Sequence, residues 1–193
     1  MTPPTKLERA ITAGEKVFMH HGFARTTMGM IAEAAGMSRP ALYQLFKGKE
    51  AVLKAVIDSG MDAMLTKMTE SIADVTSPAE RLRRVCMIWS AASFERSQSN
   101  PALRDLTGNP AYVDGYNRFI ALVAEILAAS SAGSGDQIAV PDLARLLVLA
   151  IRGFKSTAVS LEDLEGLILR QICLTIDHID HVGSCLTREP RTP

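Results

Sequence analysis

Between positions 38 and 49 the run Ser-Arg-Pro-Ala-Leu-Tyr-Gln-Leu-Phe-Lys-Gly-Lys gathers side chains with affinity for a nucleic acid. The Arg39 guanidinium can donate two parallel hydrogen bonds to a guanine, and Tyr43 and Lys49 are suited to phosphate oxygens. Helical spacing over Pro40 to Phe46 turns Leu42, Leu45 and Phe46 inward and leaves Arg39, Tyr43, Gln44 and Lys47 outward. That is the chemistry of a short helix able to enter a DNA major groove.

Such a helix needs a neighbour to hold it. Upstream stand Thr26 and Thr27, both N-cap types, then Met28, Ile31, Ala32, Ala34 and Ala35, then Gly36 and a second start at Ser38-Arg39-Pro40. Proline fits only the first turn of a helix, which predicts Ser38 or Arg39 as the cap. Ala34 and Ala35 are small where two helices would cross, and Gly36 permits the turn, so the segment reads as helix-turn-helix. Before it, Leu7, Ala10, Ile11, Gly14, Val17 and Phe18 fall on one helical face, with His20 and His21 at the end and Gly22 as the stop. After it, a long helix from about Lys49 to Met68 is predicted. Gly29 inside the first helix of the motif costs about 1 kcal/mol relative to alanine and predicts a softer helix.

Taken together, Gly22-Phe23, Thr26-Thr27-Met28, Ile31-Ala32, Ala35-Gly36-Met37-Ser38, Leu42-Tyr43, Phe46 and Lys49-Glu50 resemble the N-terminal DNA-binding domain of the TetR (tetracycline repressor) family of bacterial transcriptional regulators. The resemblance covers roughly the first third of the chain. It implies an all-α homodimeric repressor that binds palindromic double-stranded operator DNA through three N-terminal helices. A larger helical domain would hold a small-molecule effector and the dimer interface. Carried over by position, Thr27, Tyr43 and Lys49 would touch phosphates and Ser38, Arg39 and Gln44 would lie in or beside the groove, with Pro40 and Lys47 completing the DNA-facing set. The expected domains are 1–48 for DNA binding, 49–182 for ligand binding and dimerisation, and a tail over 183–193.

Charge supports a polyanion partner for the first part of the chain. The 21 basic and 21 acidic residues cancel overall, yet residues 1–57 hold eight Lys/Arg against four Glu. The other composition signals are negative. The polar start does not resemble a signal peptide and none is expected, and the apolar stretch Leu143 to Ile151, broken by Arg145, is far short of the ~20 residues a membrane span requires. Three scattered cysteines encode neither a disulfide framework nor a zinc module. The expectation is a soluble, cytoplasmic protein with no membrane partner.

The body of the chain repeats helical punctuation. Ser77-Pro78-Ala79-Glu80 is a capping box, Asn100-Pro101 and Asn109-Pro110 are further starts, Ser130 to Asp136 is a loop, and Pro141 and Ser160-Leu161-Glu162-Asp163 open the last helices. With no strand-like alternation, the prediction is an all-α fold of about nine helices. The last two are apolar on more than one face, which predicts subunit pairing through Leu147, Ile151, Leu164, Ile168 and Ile172, as in the resembling family, with burial of both faces inside one subunit as the alternative. Met61, Met64, Met68 and Met87, with Trp89, Phe94, Tyr112, Tyr116 and Phe119, are the candidates for an apolar effector cavity, although for any one of them a place in the core is the better reading.

Asp177, His178, Asp180 and His181 carry metal-ligand chemistry but sit at a chain end, where a solvated helix terminus is the better reading. No metal and no cofactor is expected. The enzyme motifs are missing: no phosphate-cradling glycine loop, no G-x-S-x-G, no H-E-x-x-H. The competing function is a small helical ligand-binding protein or enzyme without DNA binding, which requires the basic head to be incidental.

Overall fold

The computed structural model describes residues 3–99, 110–130 and 140–185. It is all-α, as expected, with eight helices among the described residues: α1 (Lys6–Arg25), α2 (Met28–Ala34), α3 (Arg39–Leu45), α4 (Lys49–Ser71), α5 (Pro78–Ser99), α6 (Pro110–Ser130), α7 (Val140–Thr157) and α8 (Leu161–Cys185). The further start expected at Asn100-Pro101 and the loop expected over 131–136 lie outside the described residues. The tail expected from residue 183 is corrected, because α8 runs through Gly183 to Cys185; glycine weakens a helix without ending it. No described helix is long and apolar enough to cross a membrane.

The helix ends are built as local chemistry dictates. Thr5 and Glu8 form a reciprocal capping box at α1, where the Thr5 backbone N–H donates to Glu8 Oε2 at 2.7 Å and the Glu8 N–H to Thr5 Oγ1 at 3.2 Å. Hydrogen bonds from Thr5 hold the Glu8 carboxyl below its ordinary pKa. Gly22, at φ 73°, breaks α1 where a stop was expected, and the helix resumes for a last turn.

Thr27 caps α2 by accepting from Met30 N–H. After Ala34 the chain closes in a Schellman turn: Gly36, at φ 62°, donates to Glu33 O and Met37 to Ala32 O, both at 3.0 Å. Ser38, the first of the two expected caps, takes the role at α3, since its Oγ accepts from Ala41 N–H and Arg39 has no comparable acceptor.

Two compact units result. The first comprises the chain up to Ala63 and the start of α6 up to Gly115. Its core is Ala10, Val17 and Phe18 from α1, Met28, Ile31 and Ala32 from α2, Leu42 and Phe46 around α3, and Val52, Leu53 and Ile57 from α4. Full burial of a side chain such as Leu42 contributes about 1.5–3 kcal/mol. At Gly14 an added Cβ would stand 2.6 Å from Val52 Cγ1, so α1 and α4 approach closely there. The first part of α4 therefore belongs to this unit, whereas the sequence placed a boundary at residue 48.

The second unit runs from Met64 through α5 and from Tyr116 onward. Here α5 and α7 pack on α8, and α5 also packs on α7. Its core includes Leu82, Val85 and Cys86 of α5, Phe119 and Val123 of α6, and the inner stripes of α7 and α8.

Ser77 accepts from Glu80 N–H as expected of a cap. The Glu80 carboxylate, however, is engaged by side chains: Arg83 Nε and Nη2 at 2.7 and 2.8 Å, and Arg84 Nε at 2.9 Å. Hydrogen bonds first from Arg83 and then from Arg84 pull the Glu80 carboxyl down to about 2. Arg83 also reaches Glu165 at 3.1 Å, tying α5 to α8. Burial pushes the Cys86 thiol up to about 12, which makes it an inert core residue.

Candidate nucleic-acid interface

The α3 helix is anchored on its inner side and bare on its outer side. Leu42 is fully buried and Phe46 nearly so, while Ser38, Arg39, Pro40, Tyr43, Gln44 and Lys47 are exposed, together with Thr27 at the start of α2. Tyr43 keeps 54% of its surface in solvent, an unusual position for an aromatic ring without a partner to cover it. Seven of the eight expected DNA-facing residues thus share the solvent side of the α2-α3 pair.

Two expected core positions are corrected. Leu45 is exposed, because a two-turn helix buries only the narrow Leu42/Phe46 edge. Ala34 is exposed as well, and the close approach is made by Ala32 and Ala35.

Lys49, the eighth residue, departs from its expected outward role. Its Nζ donates to the carbonyl oxygens of Phe23 at 3.0 Å, Ala24 at 3.3 Å and Thr26 at 3.4 Å, and stands 4.6 Å from the centroid of the Phe23 ring. The last carbonyls of a helix lack partners within it and carry partial negative charge, so an ammonium there is doubly favourable. Lys49 thereby ties the start of α4 to the end of α1, and it positions the frame on which α2 and α3 sit. Lys49→Met keeps the aliphatic stem and removes the donors. It is expected to lower stability by about 1–2 kcal/mol, read as a shift of the urea midpoint at constant slope. An unchanged midpoint would contradict this role.

The expected effector residues are divided between the two units. Met61 and Tyr112 belong to the first unit, where Tyr112 packs on the core and Met61 lies against Gly115. In the second unit Trp89 stacks on Phe119 at 4.3 Å, with Tyr116 edge-on to Trp89 at 5.1 Å. Lys155 Nζ stands 5.8 Å from the Trp89 ring and the Arg152 guanidinium 5.6 Å from the Tyr116 ring. The sequence reading missed these two cations, although Arg152 and Lys155 lie one helical turn apart on α7. Met68 is fully buried and Phe94 nearly so, while Met64 and Met87 are half-buried.

The expected dimer residues are corrected on burial, because none of them is accessible on the surface of a single chain. Leu147, Ile151, Leu164, Ile168 and Ile172 are all buried within one subunit, facing the α5-α7-α8 core. The apolar residues that α7 and α8 leave exposed are Leu146, Leu149, Leu161, Leu169 and Leu174. Of the terminal acidic and histidine cluster, Asp177 and His178 are exposed, and the side chains of Asp180 and His181 lie outside the described residues. No group of three metal-ligating side chains occurs among the described residues.

Comparison with known proteins falls on the same segment. Residues 10–56 match the family model for bacterial regulatory proteins, tetR family. An uncharacterized HTH-type transcriptional regulator of Mycobacterium tuberculosis is 33% identical over 96 residues, which are 50% of this chain and 46% of that protein. The HTH-type transcriptional regulator TtgR of Pseudomonas putida is 45% identical over 49 residues, 25% of this chain and 23% of the relative. The matched segments thus span less than half the length of these curated relatives. Beyond them the fold is shared: Thermus thermophilus FadR, a TetR-family transcriptional repressor solved with lauroyl-CoA, aligns with a TM-score of 0.64 at 21% identity, covering 97% of this chain and 98% of that one.

Proposed function

We propose that this chain, whose residues 10–56 match the family model for bacterial regulatory proteins, tetR family, is a cytoplasmic transcriptional repressor of that family. A homodimer binds a palindromic operator through α3 and releases it when a small apolar effector binds the second unit. The observation that carries this reading is the two-sidedness of α3: Leu42 and Phe46 hold it, while Arg39, Tyr43, Gln44 and Lys47 are exposed to solvent. Arg39 supplies base recognition, and Tyr43 and Lys47 supply phosphate contacts.

Two copies are needed because one seven-residue helix reads only a few base pairs, and recognition helices one duplex turn apart, ~34–36 Å, double the site. The exposed leucines of α7 supply the face for pairing. For the effector, the Trp89-Tyr116-Phe119 cluster favours an apolar body, and Lys155 and Arg152 beside it favour an acidic end. By linkage the effector and the operator weaken one another by the same factor.

Selection of duplexes from a random pool tests the reading. The expected result is an inverted repeat whose halves are one turn apart, with affinity falling steeply as salt rises. Recovery of unenriched sequence would refute the DNA-binding function and leave a helical ligand-binding protein.

A further inference from the structure

From the sequence alone Gly29 is a softening of α2, and the structure gives it a different meaning. The Arg39 side chain folds back across the α2 backbone at Gly29. A Cβ built on Gly29 would collide with Arg39 Nη2 and stand 2.8 Å from both Cζ and Nε. No side-chain-bearing residue fits at position 29 with Arg39 in this place. The glycine is a notch in the first turn of α2, and the guanidinium lies in it.

No charge partner accounts for the place of the guanidinium. The first turn of α2 contains no acidic residue, and a helix N-terminus is an unfavourable place for a cation. No carboxylate pairs with Arg39 among the described residues. Its five N–H donors are therefore uncommitted to any acid, and a planar fork of that kind loses little entropy on pairing with a matching acceptor edge.

We propose that Gly29 is a specificity-determining residue, a notch in α2 that sets the direction from which Arg39 presents its guanidinium to a base edge. The proposal rests on the DNA-binding function above. Because the guanidinium is the mobile end of a long side chain, an alanine at 29 displaces it without disturbing the backbone. Bidentate recognition of guanine depends on the plane and direction of the fork, so a displaced Arg39 reads a different base or none. Phosphate contacts from Tyr43 and Lys47 do not depend on position 29.

The test is a cycle of Gly29→Ala, Arg39→Ala and the double variant in the full-length protein, each put through duplex selection beside the wild type. Gly29→Ala is expected to melt at or above the wild-type temperature, since alanine favours helix. It should bind generic duplex with the same salt slope, yet change the preference at the base pair read by Arg39 by about ten-fold or more. In the Arg39→Ala background, where the space is vacant and the double variant folds without conflict, Gly29→Ala should leave the selected sequence as it is in Arg39→Ala alone. Selection of the wild-type operator by Gly29→Ala with undiminished preference overturns the proposal, as does a shift that persists without Arg39. A wild-type protein that selects no sequence overturns the DNA-binding function itself, and the notch proposal with it.

Discussion

Arg39→Ala is expected to flatten the preference for one base pair in each half-site by about 1–3 kcal/mol, while leaving binding to unrelated duplex nearly unchanged. The reason is the division of labour on α3. A guanidinium paired with the O6 and N7 of guanine discriminates bases, because the wrong base leaves donors unsatisfied in a desolvated groove. Lys47→Ala, by contrast, removes a charge that any phosphate satisfies, so it should weaken all duplexes alike and reduce the salt slope by about one. Competition binding against single-base operator variants separates the two. If Arg39→Ala weakens all duplexes uniformly, the residue is a phosphate contact and base readout belongs elsewhere on the α2-α3 surface.

The second large effect separates the inner and outer faces of the last two helices. Ile168 is fully buried, so Ile168→Glu must place a carboxylate in an apolar core. That costs more than about 4 kcal/mol, a large share of the ~5–15 kcal/mol that stabilises a typical domain, and the expected result is unfolded or aggregated protein. Leu146 keeps 61% of its surface exposed in one subunit. Leu146→Glu is expected to leave the fold within about 0.5 kcal/mol of the wild type and to yield monomers that no longer hold an operator. Sedimentation with circular dichroism distinguishes the outcomes. A folded, dimeric Leu146→Glu would place the interface away from the outer face of α7, and a wild type that is monomeric at micromolar concentration would remove the dimer from the mechanism.

These variants also mark where the sequence stops being informative. Thr27, Gly36, Ser38 and Pro40 revealed the two short helices and their turn because each acts on backbone groups within five residues, and such local rules need no tertiary context. The all-α class and the exposure of Arg39, Tyr43, Gln44 and Lys47 on α3 followed from the same rules plus a 3.6-residue period. Periodicity also found the apolar character of α7 and α8, but with leucine and isoleucine on several faces it could not rank them. Only the packing of α5, α7 and α8 on one another decided that Leu147, Ile151, Leu164, Ile168 and Ile172 turn inward and that Leu146, Leu149 and Leu174 stay outside.

The role of Lys49 was equally beyond the sequence, since its strongest acceptor, the Phe23 carbonyl, lies 26 positions away and is brought near by the packing of α1 on α4. So was the pairing of Gly29 with Arg39. A glycine in a helix reads as a local weakness from the sequence, and it becomes a cradle only once a second helix lays a side chain across it. What the residues determine alone is whatever depends on neighbours along the chain. What the tertiary structure decided is which of several chemically similar surfaces is covered, because burial is a property of the whole packing arrangement and not of any one segment.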